Sequence, residues 1–179
     1  MTSERDGELP AAVTWGLLAA WAIHDSEELF TMSGWTEQAV PRLRERFPQV
    51  PPQVWEKLRT TPAQAAVAIG IMGGLVAAAS ARGAATGGRS RLYQTVLAGF
   101  GLHAITHVAQ AAAVRGYTPG VVTAPLVVAP FSIWAWRRLR AAGVPTGGGA
   151  SSAGALLALP AVAAACHAAA RALAPVRSR

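Results

Sequence analysis

The sequence predicts an all-α fold: an integral membrane bundle of about five transmembrane helices, four being the alternative count, with a short amphipathic segment between the first two. Three observations carry this. The 179 residues are 52% hydrophobic and only 14% charged, with a mean hydropathy of +0.31, too apolar for an ordinary soluble domain. Apolar runs of about 20 residues, the length a helix needs to cross a bilayer, recur between breaks rich in Gly, Pro and Arg. The charge is also segregated: every Asp and Glu lies at or before Glu56, and after it come Lys57 and eleven arginines with no acid at all. Arginines gathered at the ends of apolar segments are what anionic headgroups and the positive-inside bias select. No nucleic-acid motif accompanies the pI near 11.2, so the expected partner is membrane lipid and not nucleic acid. One membrane domain is expected over residues 1–179, with an N-terminal tail at 1–9, an amphipathic connector at 34–60 and a Gly/Ser-rich linker at 143–154.

The tail carries Glu4, Asp6 and Glu8 against Arg5, unlike the positive start of a cleaved secretory signal. Segment one runs from about Pro10 to Met32 and ends in His24-Asp25-Ser26-Glu27-Glu28, four ionisable groups in five positions. At about 100° per residue, Glu28 lies one helical turn beyond His24 and Glu27 flanks it, so these three share a face, with Asp25 peripheral. Burying such groups costs several kcal/mol apiece unless partners are supplied elsewhere. The connector mixes charge with Val40, Leu43, Phe47, Val54, Trp55 and Leu58, a spacing for short amphipathic helices broken by Pro48, Pro51 and Pro52. It reads either as a lid over the bundle or as a solvated link.

Segment two opens at Thr61-Pro62-Ala63-Gln64, which has the pattern of a capping box with Pro at the first helical position, and continues to about Ala81. Segment three, about Ser90 to Val114, places His103 and His107 one turn apart, with Gln110 near the same stripe. Thr118-Pro119 is the expected cap of segment four, which runs to Arg137 through Pro125 and Pro130, two expected kinks. Segment five runs from about Ala155 to Leu173, interrupted at Pro160, and carries His167. The single cysteine, Cys166, allows no intrachain disulfide and no Cys-based zinc site.

If all five segments span, the first, third and fifth run in the same direction, and all four histidines fall in one layer. This predicts one buried cluster of His24, Glu27, Glu28, His103, His107 and His167. Imidazoles and carboxylates converging from several helices are the ligand set of zinc or non-haem iron, so His24, Glu28, His103, His107 and His167 are candidate ligands of a divalent metal. The same groups could instead run metal-free acid-base chemistry, or form a polar network that only fixes helix pairing. In the metal reading Glu27 is the general acid or base, and the catalytic set is His24, Glu27, Glu28 and His107.

The motif at 24–28 resembles the signature of the HXXEE-domain proteins, a family of small membrane proteins, and the Tyr117-Thr118-Pro119-Gly120 turn is also similar. The resemblance covers roughly residues 15–170. His107 matches the histidine of the family's Asn-x-x-x-His motif, His103 stands where the family has Asn, and His167 resembles a further histidine on a late helix. The resemblance implies an enzyme-like polar site and no particular reaction. The functional expectation is a multi-pass cell-membrane enzyme, its N-terminus cytoplasmic, acting on a lipid or isoprenoid-like apolar substrate. A metal-dependent hydrolase or oxidase leads. A metal-free isomerase or cyclase and a non-enzymatic metal-binding or structural protein are the alternatives.

Overall fold

The computed structural model describes residues 9–146 and 150–175, the side chains of 150–159 excepted. Residues 1–8 of the expected tail, the glycines at 147–149 and the C-terminal arginines Arg177 and Arg179 lie outside the described residues. Among these the fold is all-helical: α1 (Ala11–Arg46), α2 (Pro52–Leu58), α3 (Pro62–Ala85), α4 (Arg91–Val114), a π-helical turn (Ala124–Val128), α5 (Ala129–Ala141) and α6 (Ala150–Leu173). Two of them, α3 and α4, are long and apolar enough to cross a membrane by length and composition.

α1 is the axis of the molecule, 36 residues in one helix, about 54 Å at 1.5 Å per residue. It does not stop near Met32 as expected. The stretch beyond Gly34 is rich in Glu, Gln, Ala, Leu and Arg, good helix formers, and the helix absorbs Pro41 internally. Its polar far half packs Val40 and Leu43 against Trp55 of α2, with Val114 at the end of α4 beside them. Arg46 Nη1 donates to the Val114 carbonyl at 2.9 Å, and Trp35 Nε1 to the Tyr117 carbonyl at 2.6 Å. The connector is therefore tied to the end of α4 and its following loop, while α2 stays exposed except at Trp55.

α3 begins where the capping box placed it: the Gln64 amide donates to Thr61 Oγ1 and the Thr61 amide to Gln64 Oε1. α4 starts from the Ser90 hydroxyl and ends on Arg115 in a left-handed conformation. Three expectations fail. Thr118 caps nothing: its hydroxyl is buried without a partner, and helix resumes only at Ala124, as a π turn around Pro125. A wider turn accommodates a proline that lacks an N–H to donate. The expected linker yields to α6 from Ala150, because Ala and Ser after the glycines are adequate helix formers. Pro160 likewise lies within α6.

Register follows from long-range bonds. The Tyr93 hydroxyl donates to the Val13 carbonyl at 2.6 Å, while His103 and His107 meet His24, so α1 and α4 run parallel. Gln64 Nε2 at the start of α3 donates to the Ala174 carbonyl at the end of α6, making those two antiparallel. Trp21 of α1 lies over Gly73 of α3, and Tyr93 over Gly83. A Cβ at Gly83 would lie 2.6 Å from the Tyr93 ring, whereas one at Gly74 would meet nothing within 4 Å. Gly83→Ala is accordingly expected to lose about 1–3 kcal/mol by overpacking. Gly74→Ala should match or exceed wild type, and thermal unfolding in mild detergent compares the two.

Candidate metal centre and its cavity

One turn of α1 sends four side chains in different directions. His24 is fully buried, and its two ring nitrogens are both engaged: Nδ1 lies 2.7 Å from Thr123 Oγ1, and Nε2 lies 3.2 Å from His107 Nε2. His107 Nε2 is also 2.7 Å from His103 Nε2 and 3.4 Å from Glu28 Oε1. His24, Glu28, His103 and His107 thus each offer one donor atom, all within 4.8 Å of one another. The four residues come from only two helices, because the i, i+4 pairs on α1 and α4 face each other across a parallel contact.

Glu27 is not in that group. Its carboxylate accepts from the Tyr117 hydroxyl at 2.8 Å, the Val122 amide at 3.3 Å, the Thr123 amide at 2.8 Å and the Thr123 hydroxyl at 2.6 Å. It sits where the π turn begins, the end of a helix that favours negative charge. Tyr117 stays a donor here: burial pushes its phenol pKa up, and the bond to Glu27 pushes the same way. Because the one proton of Thr123 Oγ1 goes to Glu27, that oxygen accepts from His24, which fixes the proton of His24 on Nδ1. Its Nε2 then presents a lone pair to the cluster. Nothing in the sequence signals Thr123, which is 99 positions from His24.

The loop reaches the histidines only because of Gly120. Its φ is +83°, and a Cβ there would lie 2.5 Å from His107 Cε1 and 2.8 Å from His24 Cε1. Glycine is thus required twice, for the backbone conformation and for the close approach. The Thr-Pro-Gly turn was the visible trace of this in the sequence.

Beside the cluster lies a cavity of about 500 Å³. Glu28 and His103 belong to both. Its walls are Trp21, Asp25, Glu28 and Met32 of α1, the face of α4 from Thr95 to Gln110, the α3 face around Met72, and Cys166 with His167 of α6. One expectation is corrected here. His167 lies on the cavity wall, outside the four-residue donor group, because α6 packs against α3 and α4 and leaves the α1–α4 contact to the loop 117–123. Asp25 lies outside the donor group, peripheral to it as expected, yet it is buried: it is 8% exposed and lines the cavity. Its i, i+3 relation to Glu28 is the sequence signal that would have found it.

The fold and site define an all-helical protein with a buried His/Glu cluster beside a cavity. The chain belongs to the HXXEE family: the family model described as "Protein of unknown function with HXXEE motif" matches residues 15–135. That span takes in His24, Glu27, Glu28, His103, His107 and Thr123 but not His167, so the similarity noted at the late helix lies beyond the matched segment. No curated protein and no solved structure matches the chain.

Thr123→Val removes the hydroxyl from both Glu27 and His24 while preserving shape. It should destabilise the protein by about 1–3 kcal/mol, the cost of leaving buried polar groups unpaired. Thr123→Ser should stay close to wild type, with denaturant unfolding in detergent as the measurement.

Proposed function

We propose that the protein is a small multi-pass membrane enzyme in which His24, Glu28, His103 and His107 hold one divalent metal ion beside a substrate cavity. The observation that carries the reading is the convergence of three imidazole nitrogens and a carboxylate oxygen on one point. His107 Nε2 has three possible acceptors, at 2.7, 3.2 and 3.4 Å, and one ring proton at most, so hydrogen bonding alone cannot satisfy the set. Four zinc ligands at the usual bond length stand about 3.3 Å apart. The His24–His107 and Glu28–His107 separations fit this; the 2.7 Å pair would spread. A bound zinc ion would supply Lewis-acid and hydrolytic chemistry, and iron would supply oxidation.

This chain's own groups divide the rest of the work. Glu27 and Thr123 orient His24, so Glu27 acts as a positioning residue in this reading and not as the general acid or base. Glu28 and His103 are shared with the cavity, so an ion held by the four residues would lie at the cavity's edge, and binding substrate would take a fifth coordination position or the release of one ligand. The apolar walls supported by α3, α4 and α6 suit a lipid or isoprenoid-like molecule. Five spanning segments, α2 at the interface and a cytoplasmic N-terminus complete the reading; it is favoured by Arg82, Arg89, Arg91, Arg137, Arg138 and Arg140 at one end of the helices.

A second reading has its own observation. The 2.7 Å contact between His103 and His107 is a proton-sharing distance, and with Glu28 beside it the site could move protons for an isomerisation or cyclisation without metal.

Elemental analysis of protein purified in mild detergent decides between them. Near-stoichiometric zinc or iron is expected in wild type, lost in His24→Ala and in His107→Ala, and bound about 10–100-fold more weakly in Thr123→Val, the usual cost of removing a group that orients a ligand. Well-folded protein that takes up neither zinc nor anaerobic iron on reconstitution would leave the proton-transfer reading in its place.

A further inference from the structure

The cavity is polarised from end to end. α1, α4 and α6 run parallel, and along that common direction the polar lining residues Asp25, Glu28, His103, Thr106, Gln110 and His167 come after the apolar Trp21, Val96 and Phe100, with Met32 among them. Among the described residues, Thr95 is the polar lining residue on the earlier side. The space therefore has a polar end and an apolar end, the form of one amphiphile lying along the helices. About 500 Å³ is in the usual range for a single small molecule.

The polar end states what kind of head it takes. Among the described residues neither Lys nor Arg lines the cavity, so a phosphate or carboxylate head would bring charge into an apolar bundle beside Asp25 and Glu28 with no described side-chain cation to meet it. Asp25 is more than nine-tenths buried and faces the space, and among the described residues it forms no hydrogen bond or ion pair. A carboxyl group so placed needs a hydrogen-bond partner. A hydroxyl can accept from it or donate to it, and it adds no charge, whichever protonation state Asp25 holds. Gln110, lining the same end, offers a further donor and acceptor to such a head. From this geometry we infer that the ligand of the cavity is a single-tailed neutral alcohol, its hydroxyl received by Asp25 and its tail lying toward Trp21, Val96 and Phe100.

The inference deepens the proposed function and rests on the reading of this cavity as the substrate site. Its test uses full-length protein in zwitterionic nanodiscs and three photoactivatable probes of one tail length, ending in a hydroxyl, a carboxylate or an amine. Labelled residues are mapped by mass spectrometry, and metal is quantified on the same samples. The alcohol should label the cavity faces of α3 and α4 about tenfold more strongly than the acid or the amine, a ratio typical of one unmatched buried polar contact. Asp25→Asn should narrow that preference with its metal content unchanged. Val96→Trp, which fills the apolar end, should abolish labelling. Equal or stronger labelling by the acid or the amine would overturn the inference, as would no cavity labelling in folded protein or an Asp25→Asn profile identical to wild type. Alcohol labelling in protein that takes up no metal would remove the metal centre and keep the alcohol. Bound metal with the acid preferred would do the reverse.

Discussion

The structure depends on His24 being held from both sides. A fully buried imidazole needs a partner at each nitrogen, and those partners come from regions far apart in sequence: His107 of α4 at one nitrogen, Thr123 of the loop after α4 at the other. To bring both within reach, α4 must lie parallel to α1 and the chain must then fold back across the end of the pair. Gly120 makes that return possible, because any side chain there would occupy the space of the two rings. The parallel register, the tight turn and the anchoring of the π turn on Glu27 are one solution to the cost of burying polar groups in an apolar bundle.

The rest of the packing tolerates that demand because it relies on small residues. Trp21 lies over Gly73 and Tyr93 over Gly83, so large rings on one helix find room where the neighbour has no side chain. Were the bundle to lie in lipid, with no hydrophobic driving force between helices, such close approach and the bonds it permits would have to supply the association. The cap formed by α2 and the far half of α1 works differently. It buries Val40, Leu43 and Trp55 in a separate small cluster and secures the end of α4 by two bonds to backbone carbonyls, from Arg46 and Trp35. α1 thus behaves as two helices joined end to end, one apolar and one amphipathic.

What could be read in advance divides along the same physical line. Local rules placed the start of α3 from Thr61 and Gln64 and paired His103 with His107, because both depend on spacing within one helix. The expectation that α1 ends near Met32 followed the end of the apolar run, whereas the good helix formers beyond it carry the helix on to Arg46. Thr118 was misjudged as a cap because backbone geometry across the 117–123 loop is set by the histidines it must clear and not by its own sequence. Thr123 was invisible, since a lone threonine has no pattern. The shared layer of His24, His103 and His107 was legible from depth alone; depth could not separate His167, on the cavity wall, from the three rings that touch.

The motif itself reduces to angles. With His24 as reference and about 100° per residue, Glu28 lies about 40° to one side, Asp25 about 100° to that same side, and Glu27 about 60° to the other. Asp25 and Glu27 therefore point some 160° apart, across the direction shared by His24 and Glu28. That is the arrangement found: Glu27 in the loop, His24 and Glu28 in the cluster, Asp25 in the cavity, with Glu28 bordering cluster and cavity alike. Two adjacent glutamates are needed because one must hold the loop while the other faces the histidines, and no single carboxylate can reach both. Shifting either carboxylate by one position would turn it about 100° away from its partners and leave them unpaired, which makes the spacing of the motif a statement about direction before it is one about chemistry.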